Sequence, residues 1–378
     1  MYHVFSVDDH IIEPADVWSS RVPAKYREAA PHVVEADGRE WWVYEGTRQV
    51  TMGLNAVAGK PREEWGMEPA RFADMIPGCY DPTQRAKDLR ADGIFASVNF
   101  PTLPGFGGRK FVTFEDKDLA LACVQAWNDF ILDEWCAAAP ELFVPMTIAP
   151  LWDVELAVKE VERTLAKGAK ALCFVEDPSQ LGMPGWHTEA WDPLLAVCQE
   201  ADLPICMHVG SAGSSTLLGD QIPIVEIASS FSQTARYSLN LMCSPAPRTF
   251  PDIKFVWSEG GIGWLPAALE RADAQWEKHG YWSHLEGATP SEVAKRNMWF
   301  CMIEEPWGLT TREVYGYDRI LFETDYPHAD TTWPRTQAIC KSLFADVPRH
   351  EVDAITHSNA ERLFHFPLTV PTGNGAGA

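Results

Sequence analysis

Eight short apolar runs, most of them followed by a stretch of helical period, constrain this chain more than any other feature it carries. They fall at residues 4–7, 94–100, 143–149, 169–175, 204–209, 253–258, 298–303 and 319–323. Runs rich in Val, Ile and Phe read as strands, and amphipathic segments between them read as the helices that join parallel strands. Helices are expected over residues 118–138, 154–167, 191–201 and around 225–242. Eight such units predict an α/β fold, a closed (β/α)8 TIM barrel, whose usual length is about 250 residues and grows with insertions. The chain has 378. The surplus has a place in the proline-rich residues 14–90, where two strand-like runs, 32–35 and 40–44, flank Asp37-Gly38 as a hairpin would. A single metal-dependent barrel domain is therefore expected over residues 1–367, with residues 14–90 inserted after the first strand and lying over the barrel mouth. Residues 368–378, rich in Gly and Ala, are expected to be a disordered tail.

Charge and composition narrow the function classes. The formal net charge is −22, with 31 Lys and Arg against 53 Asp and Glu, which disfavours a general nucleic-acid or anionic-membrane binder. No run approaches the roughly 20 apolar residues of a membrane helix. The opening residues have neither a basic nor an apolar leader pattern, so a soluble cytoplasmic protein is expected. Nine cysteines without a Cys-x-x-Cys pair read as reduced core thiols rather than a disulfide or cysteine-metal framework. Sixteen tryptophans fit either a bulky apolar pocket or ordinary aromatic packing. A small-molecule substrate is the expected partner, and a homodimer the default assembly.

In a parallel barrel the chemistry sits just beyond the C-terminal ends of the strands. Metal-ligand types recur there. The first strand runs into Asp8-Asp9-His10-Ile-Ile-Glu13, where a period of two points Asp8 and His10 the same way and Glu13 can curl back. His208 ends the fifth run, Glu259 follows the sixth, Glu304-Glu305 the seventh, and Asp325 with His328 the eighth. Taken singly, each has a bland role as a cap, an ion-pair partner or a solvated loop. Together, strand-end carboxylates facing one another repel unless a cation neutralises them. The candidate ligands are Asp8, His10, Glu13, His208, Glu259 and Asp325, with Glu304 in reserve. Asn99, His187 and Trp264 are placed to reach a substrate at the mouth. Gly260-Gly-Ile-Gly263 lacks the following Lys-Ser/Thr of a phosphate loop and reads as a close backbone turn. Gly105-Phe-Gly-Gly108 reads as a flexible loop or lid.

The motifs Asp8-Asp-His10-Ile-Ile-Glu-Pro14, Leu203-Pro-Ile-Cys-Met-His208-Val-Gly210, Gly260-Gly-Ile-Gly-Trp264, Thr324-Asp325-Tyr-Pro-His328 and Asn359-Ala-Glu-Arg-Leu-Phe364 occur in this order. In them the chain resembles the amidohydrolase superfamily, in the amidohydrolase-related branch that holds aminocarboxymuconate-semialdehyde, resorcylate and carboxyvanillate decarboxylases. The resemblance covers nearly the whole chain. It implies that His10, His208 and Asp325 are metal ligands, with Asp8 where other members carry a His or Glu. Glu259 stands where the decarboxylases carry a His, so their acid-base chemistry does not transfer unchanged.

One or two divalent ions are expected, and a carboxylate-rich set suits Fe or Mn better than Zn, although Zn remains open. In a hydrolytic reading, Asp325 or Glu259 takes the proton of an activated water and His328 orients the substrate or protonates the leaving group. In a decarboxylase reading, Glu259 protonates the carbon that loses CO2. The alternative is a nonheme di-iron monooxygenase acting on an apolar, aromatic or terpenoid-like substrate, which the count of two His and four carboxylates suits. A binding protein on a retired enzyme scaffold is the remaining class.

Overall fold

The computed structural model describes residues 1–213, 222–284 and 286–370. All eight expected strands are present. In chain order the strands are β1 (Val4–Ile11), β2 (His32–Ala36), β3 (Arg39–Tyr44), β4 (Thr47–Gln49), β5 (Ile94–Pro101), β6 (Phe143–Val144), β7 (Met146–Ile148), β8 (Ala171–Phe174), β9 (Ile205–His208), β10 (Phe255–Ser258), β11 (Met298–Met302) and β12 (Ile320–Phe322). β2 to β4 form a separate antiparallel sheet, and the others make a parallel set ordered β1-β5-β6 and β7-β8-β9-β10-β11-β12.

Two seams complete the ring. Pro145 divides the third barrel strand into β6 and β7, because it has no N–H to donate to a ladder. At the other seam the backbone N–H of Asp325 donates to the Asp8 carbonyl, 2.9 Å, and that of His10 to the Tyr326 carbonyl, 2.6 Å. β1 is thus tied to the segment that leaves β12. That places Asp325 beside Asp8 and His10 although more than 300 residues separate it from them in sequence.

Aspartates start the crossover helices. Asp81, Asp116 and Asp153 accept backbone N–H groups at the first turns of Pro82–Ala91, Lys117–Phe130 and Val154–Ala166, satisfying donors that have no partner within the helix. Asp192–Glu200 matches the expected helix at 191–201, and the stretch around 225–242 is two helices, Pro223–Ser229 and Phe231–Met242. The segment 14–90 holds the hairpin, with Glu35 opposite Glu40, and a third strand, β4, that hydrophobic alternation alone did not reveal. It also contains Pro82–Ala91, which is the first crossover helix and belongs to the barrel. Residues 371–378 of the expected tail lie outside the described residues.

The tryptophan surplus goes into packing. Trp18, Trp127, Trp135, Trp186, Trp191 and Trp257 are fully buried in the apolar core. Eight of the nine cysteines are buried and all nine are free thiols.

Candidate metal centre

Strand pleat sorts the first motif. Asp8 and His10 point into the barrel mouth, while Asp9 points the other way and accepts from Thr324 Oγ1, Tyr326 N and Ser97 Oγ. β9 ends with His208 and β10 leads into Glu259, while Asp325 and His328 follow β12. Their ligand atoms converge. His10 Nε2 lies 3.3 Å from Asp8 Oδ1 and 3.1 Å from Asp325 Oδ1. His208 Nε2 lies 3.3 Å from Asp8 Oδ2 and 3.1 Å from Glu259 Oε2. His328 Nδ1 stands 3.6 Å from Asp325 Oδ1. Donor atoms shared by one ion at about 2.1 Å lie roughly 3.0 to 3.4 Å from their neighbours, so the separations among Asp8, His10, His208, Glu259 and Asp325 fit the edges of a coordination shell, and the His328 contact is longer.

Partnering makes the case sharper. Asp8 Oδ1 and Oδ2, His10 Nε2, His208 Nε2, Asp325 Oδ1 and His328 Nε2 are buried and make no hydrogen bond. Buried polar atoms are nearly always satisfied, and here six unsatisfied ones belong to one cluster. The Nδ1 of His208 is bound to the Val209 carbonyl at 2.7 Å, which puts its proton there and leaves Nε2 as a lone pair facing the cluster. These donors fit a divalent cation.

Burial, then neighbouring carboxylates, pushes Asp8 and Asp325 far above the usual carboxylate range. Burial, then the adjacent imidazoles, holds His10 and His328 well below the usual histidine range. A cation reverses the first tendency and suits the second, since it attracts carboxylates and binds neutral imidazole. Glu259 and Asp325 also occupy left-handed backbone, φ 54° and 51°, a conformation costly for residues with a Cβ and one that clusters at functional sites.

Phe106 stacks on the His208 ring, centroids 3.8 Å apart, so Gly105-Phe-Gly-Gly108 is a wall of the site. A Cβ on Gly107 would stand 2.9 Å from the Phe174 backbone, which is why glycine sits there and why the segment presses against the strand ends and is not a free lid.

Several expected positions fall elsewhere. The Glu13 carboxylate accepts from Thr102 N, Leu103 N and Trp127 Nε1, so it fastens the loop after β5 and is turned away from the cluster. Glu304 is exposed and lines a neighbouring cavity. Asn99 is held by Arg85 and by Ser97, its amide committed to the backbone under the site. His187 is exposed and pairs with Asn240. Trp264 donates to the Gly260 carbonyl and packs edge-on against Phe300. All five depart because loop direction and competing donors, which local pattern does not encode, decide where a side chain goes.

Other residues at the site were passed over. Glu323, fully buried, accepts the Glu259 N–H through both oxygens and orients that residue. Glu176, just beyond β8, accepts from Thr234 Oγ1, and burial raises its pKa to about 8. Both stand at strand ends, as the candidate ligands do. Arg85, fully buried, donates to the carbonyls of Gly78 and His10 and to Asn99, and lies over the Tyr326 ring at 4.2 Å. Arg109 and Lys110 line a cavity of about 440 Å³ together with His208, Glu259 and His328, and Gln49, Met52 and Asn55 of the inserted segment close its far side. Nothing in the local pattern of a glycine-rich loop marks those two cations.

The parallel barrel, its strand-end cluster of histidine and carboxylate and its adjoining cavity define a metal-binding β/α-barrel protein. Residues 34–366 match the family model described as amidohydrolase. The chain belongs to the amidohydrolase family. A gamma-resorcylate decarboxylase of Polaromonas sp. (strain JS666 / ATCC BAA-500) is 29% identical over 304 residues, 72% of this chain and 83% of that protein. An amidohydrolase of Mycobacterium avium subsp. paratuberculosis K-10 superposes with a TM-score of 0.75 at 20% identity, over 96% of this chain and 99% of that one. A dihydroxybenzoic acid decarboxylase of Polaromonas sp. JS666, solved with manganese and the inhibitor 2-nitroresorcinol, gives a TM-score of 0.60 at 16% identity over 97% of each chain. The two structural likenesses are of fold.

Proposed function

We propose that this protein is a metal-dependent carboxy-lyase that releases CO2 from a small aromatic acid. The observation that carries the reading is the cluster of five buried, unpartnered ligand atoms on Asp8, His10, His208 and Asp325 beside a cavity of about 440 Å³. The relatives named for their activity are decarboxylases of hydroxylated aromatic acids, which supports the same reaction class.

Asp8, His10, His208 and Asp325 would hold the ion, with Glu259 beside them. A divalent ion held by these residues would supply Lewis-acid chemistry toward the acid group of a substrate; manganese or iron suits the carboxylate-rich donors. The C–C bond to the carboxylate breaks, CO2 leaves, and the electron pair stays on the ring carbon, which must take one proton. Glu259 borders both the cavity and the cluster, and its backbone is pinned by Glu323, so it is the acid we assign to that proton transfer. The ring of Phe106 and residues of the inserted segment line the same cavity.

The test is to purify the protein without added metal, count the ions, reload it with manganese, iron or zinc, and follow CO2 release from hydroxybenzoic acids. About one ion per chain with CO2 release supports the proposal. Two irons per chain with oxygen uptake and no CO2 would overturn it in favour of the di-iron oxygenase, whose ligand count included Glu13.

A further inference from the structure

The cavity wall carries two adjacent cations that, among the described residues, make no ion pair. Arg109 donates to the Gly210 carbonyl, 2.8 Å, and Lys110 to Gln49 Oε1, 2.5 Å. Both partners are neutral, and among the described residues neither cation has a carboxylate within ion-pair distance. Cations this far withdrawn from solvent are ordinarily paired. The carboxylates whose charge does reach them are Glu176, for Arg109, and Glu13, for Lys110. Both are committed to other donors, Glu176 to Thr234 and Glu13 to two backbone N–H groups and Trp127. Burial raises both carboxyls toward the neutral form and pushes the Lys110 ammonium down to about 8, the behaviour of a pair waiting for an anion. In a chain of net charge −22 such a pair is out of character with the surface at large.

Position sharpens the point. Gly105, one turn before, has φ 66°, and Gly107 and Gly108 also sit at positive φ, so the loop folds back sharply. It delivers Phe106 onto His208 and Arg109 and Lys110 into the same cavity. An aromatic acid lying along Phe106 with one carboxylate at the metal cluster would meet these cations with any acidic group it carries elsewhere on the ring.

We infer that Arg109 and Lys110 form a recognition subsite for a second anionic group, so that the preferred substrate is an aromatic diacid rather than a monoacid. This rests on the carboxy-lyase reading above and adds the substrate class to it. Guanidinium and ammonium together suit a carboxylate, the first as a planar fork and the second as a point charge. Gln49, from the inserted hairpin sheet, holds Lys110 in place and makes that segment part of the specificity device.

The experiment is isothermal titration of manganese-loaded protein with salicylate and with its ring-carboxylated derivatives, under anaerobic conditions at low salt. The expected result is that at least one diacid binds tenfold or more tightly than salicylate. Arg109→Met and Lys110→Met should each collapse the diacid-to-monoacid affinity ratio about tenfold while manganese content stays at the wild-type value, and Arg109→Lys should restore part of it. A purely structural role would lower both affinities together and leave the ratio intact, which overturns the inference. Equal binding of monoacid and diacids by the wild type overturns it too and leaves the carboxy-lyase reading standing. Binding of neither class to the metal-loaded protein overturns both.

Discussion

The imidazoles of His10 and His328 lie face to face, centroids 3.5 Å apart and 8° from parallel, wholly within the barrel mouth. Two imidazolium ions could not share such a place, and burial already disfavours the charged form of each. The stack therefore holds neutral rings, the form that binds a metal. It also links the first strand to the segment after the last, whose backbone seam brings the candidate ligands together.

Removing a ligand should empty the site without unfolding the barrel. His208→Ala and Asp325→Asn are each expected to lower bound metal to well under half of the wild-type content and to cut metal-dependent turnover at least about 100-fold. Elemental analysis paired with a circular-dichroism spectrum checks this, and full metal retention by both variants would remove the basis of the proposed centre.

Glu13 should behave in the opposite way. Its oxygens take three donors, so Glu13→Gln loses acceptor capacity and leaves Thr102, Leu103 or Trp127 short of a partner. A loss of about 1–3 kcal/mol in urea denaturation is expected, with metal content unchanged. Loss of metal at unchanged stability would return Glu13 to the ligand set.

Arg85 sits beneath the site and satisfies the carbonyls of Gly78 and His10 and the amide oxygen of Asn99. Arg85→Met leaves these buried acceptors bare and should cost about 3–5 kcal/mol. Because His10 is one of the groups it holds, metal affinity should fall about tenfold as well, as expected for a residue that orients a ligand through its backbone. Chelator competition on the folded variant measures that second effect separately.

Glu176 carries a pH signature. Its folded pKa, about 8, lies above the ordinary glutamate value of 4.5, so the folded state holds a proton that the unfolded chain has released over the interval between. Its contribution to stability is complete below the unfolded value and is lost as pH rises through the folded one, with a slope of at most about 1.4 kcal/mol per pH unit. Glu176→Gln cannot titrate. The difference in denaturation free energy between wild type and variant should therefore change steadily from about pH 5 to about pH 8 and flatten beyond; a difference independent of pH would show that Glu176 is ionised in the fold.

Asp8 and His10 were legible because alternation along β1 places them on one face whatever the rest of the chain does, and Asp9 on the other. His208 and Asp325 were legible as ligand types at the ends of apolar runs. Glu13 stands only three residues beyond His10 and was misread, because its direction depends on backbone N–H groups of a loop 90 residues away. Glu323 reads in sequence as the last residue of a strand, yet it anchors the backbone of Glu259 from across β11. Trp264 and His187 follow strands as a substrate residue would, but each found a nearer polar partner.

Periodicity and strand-end chemistry are properties of short stretches of chain, so the sequence by itself determined the eight barrel strands, their parallel order and the kind of residue offered at the mouth. Which of those residues turn inward was decided by tertiary structure alone. The seam between β1 and the end of β12, the bend at Gly105-Phe-Gly-Gly108 and the competition of buried N–H groups for carboxylate oxygens all join residues remote in sequence. A buried polar atom takes the partner that the fold brings within 3 Å or so, or waits for an ion or a ligand when the fold brings none. Among the described residues, the cluster around Asp8 is where several such atoms are left waiting together.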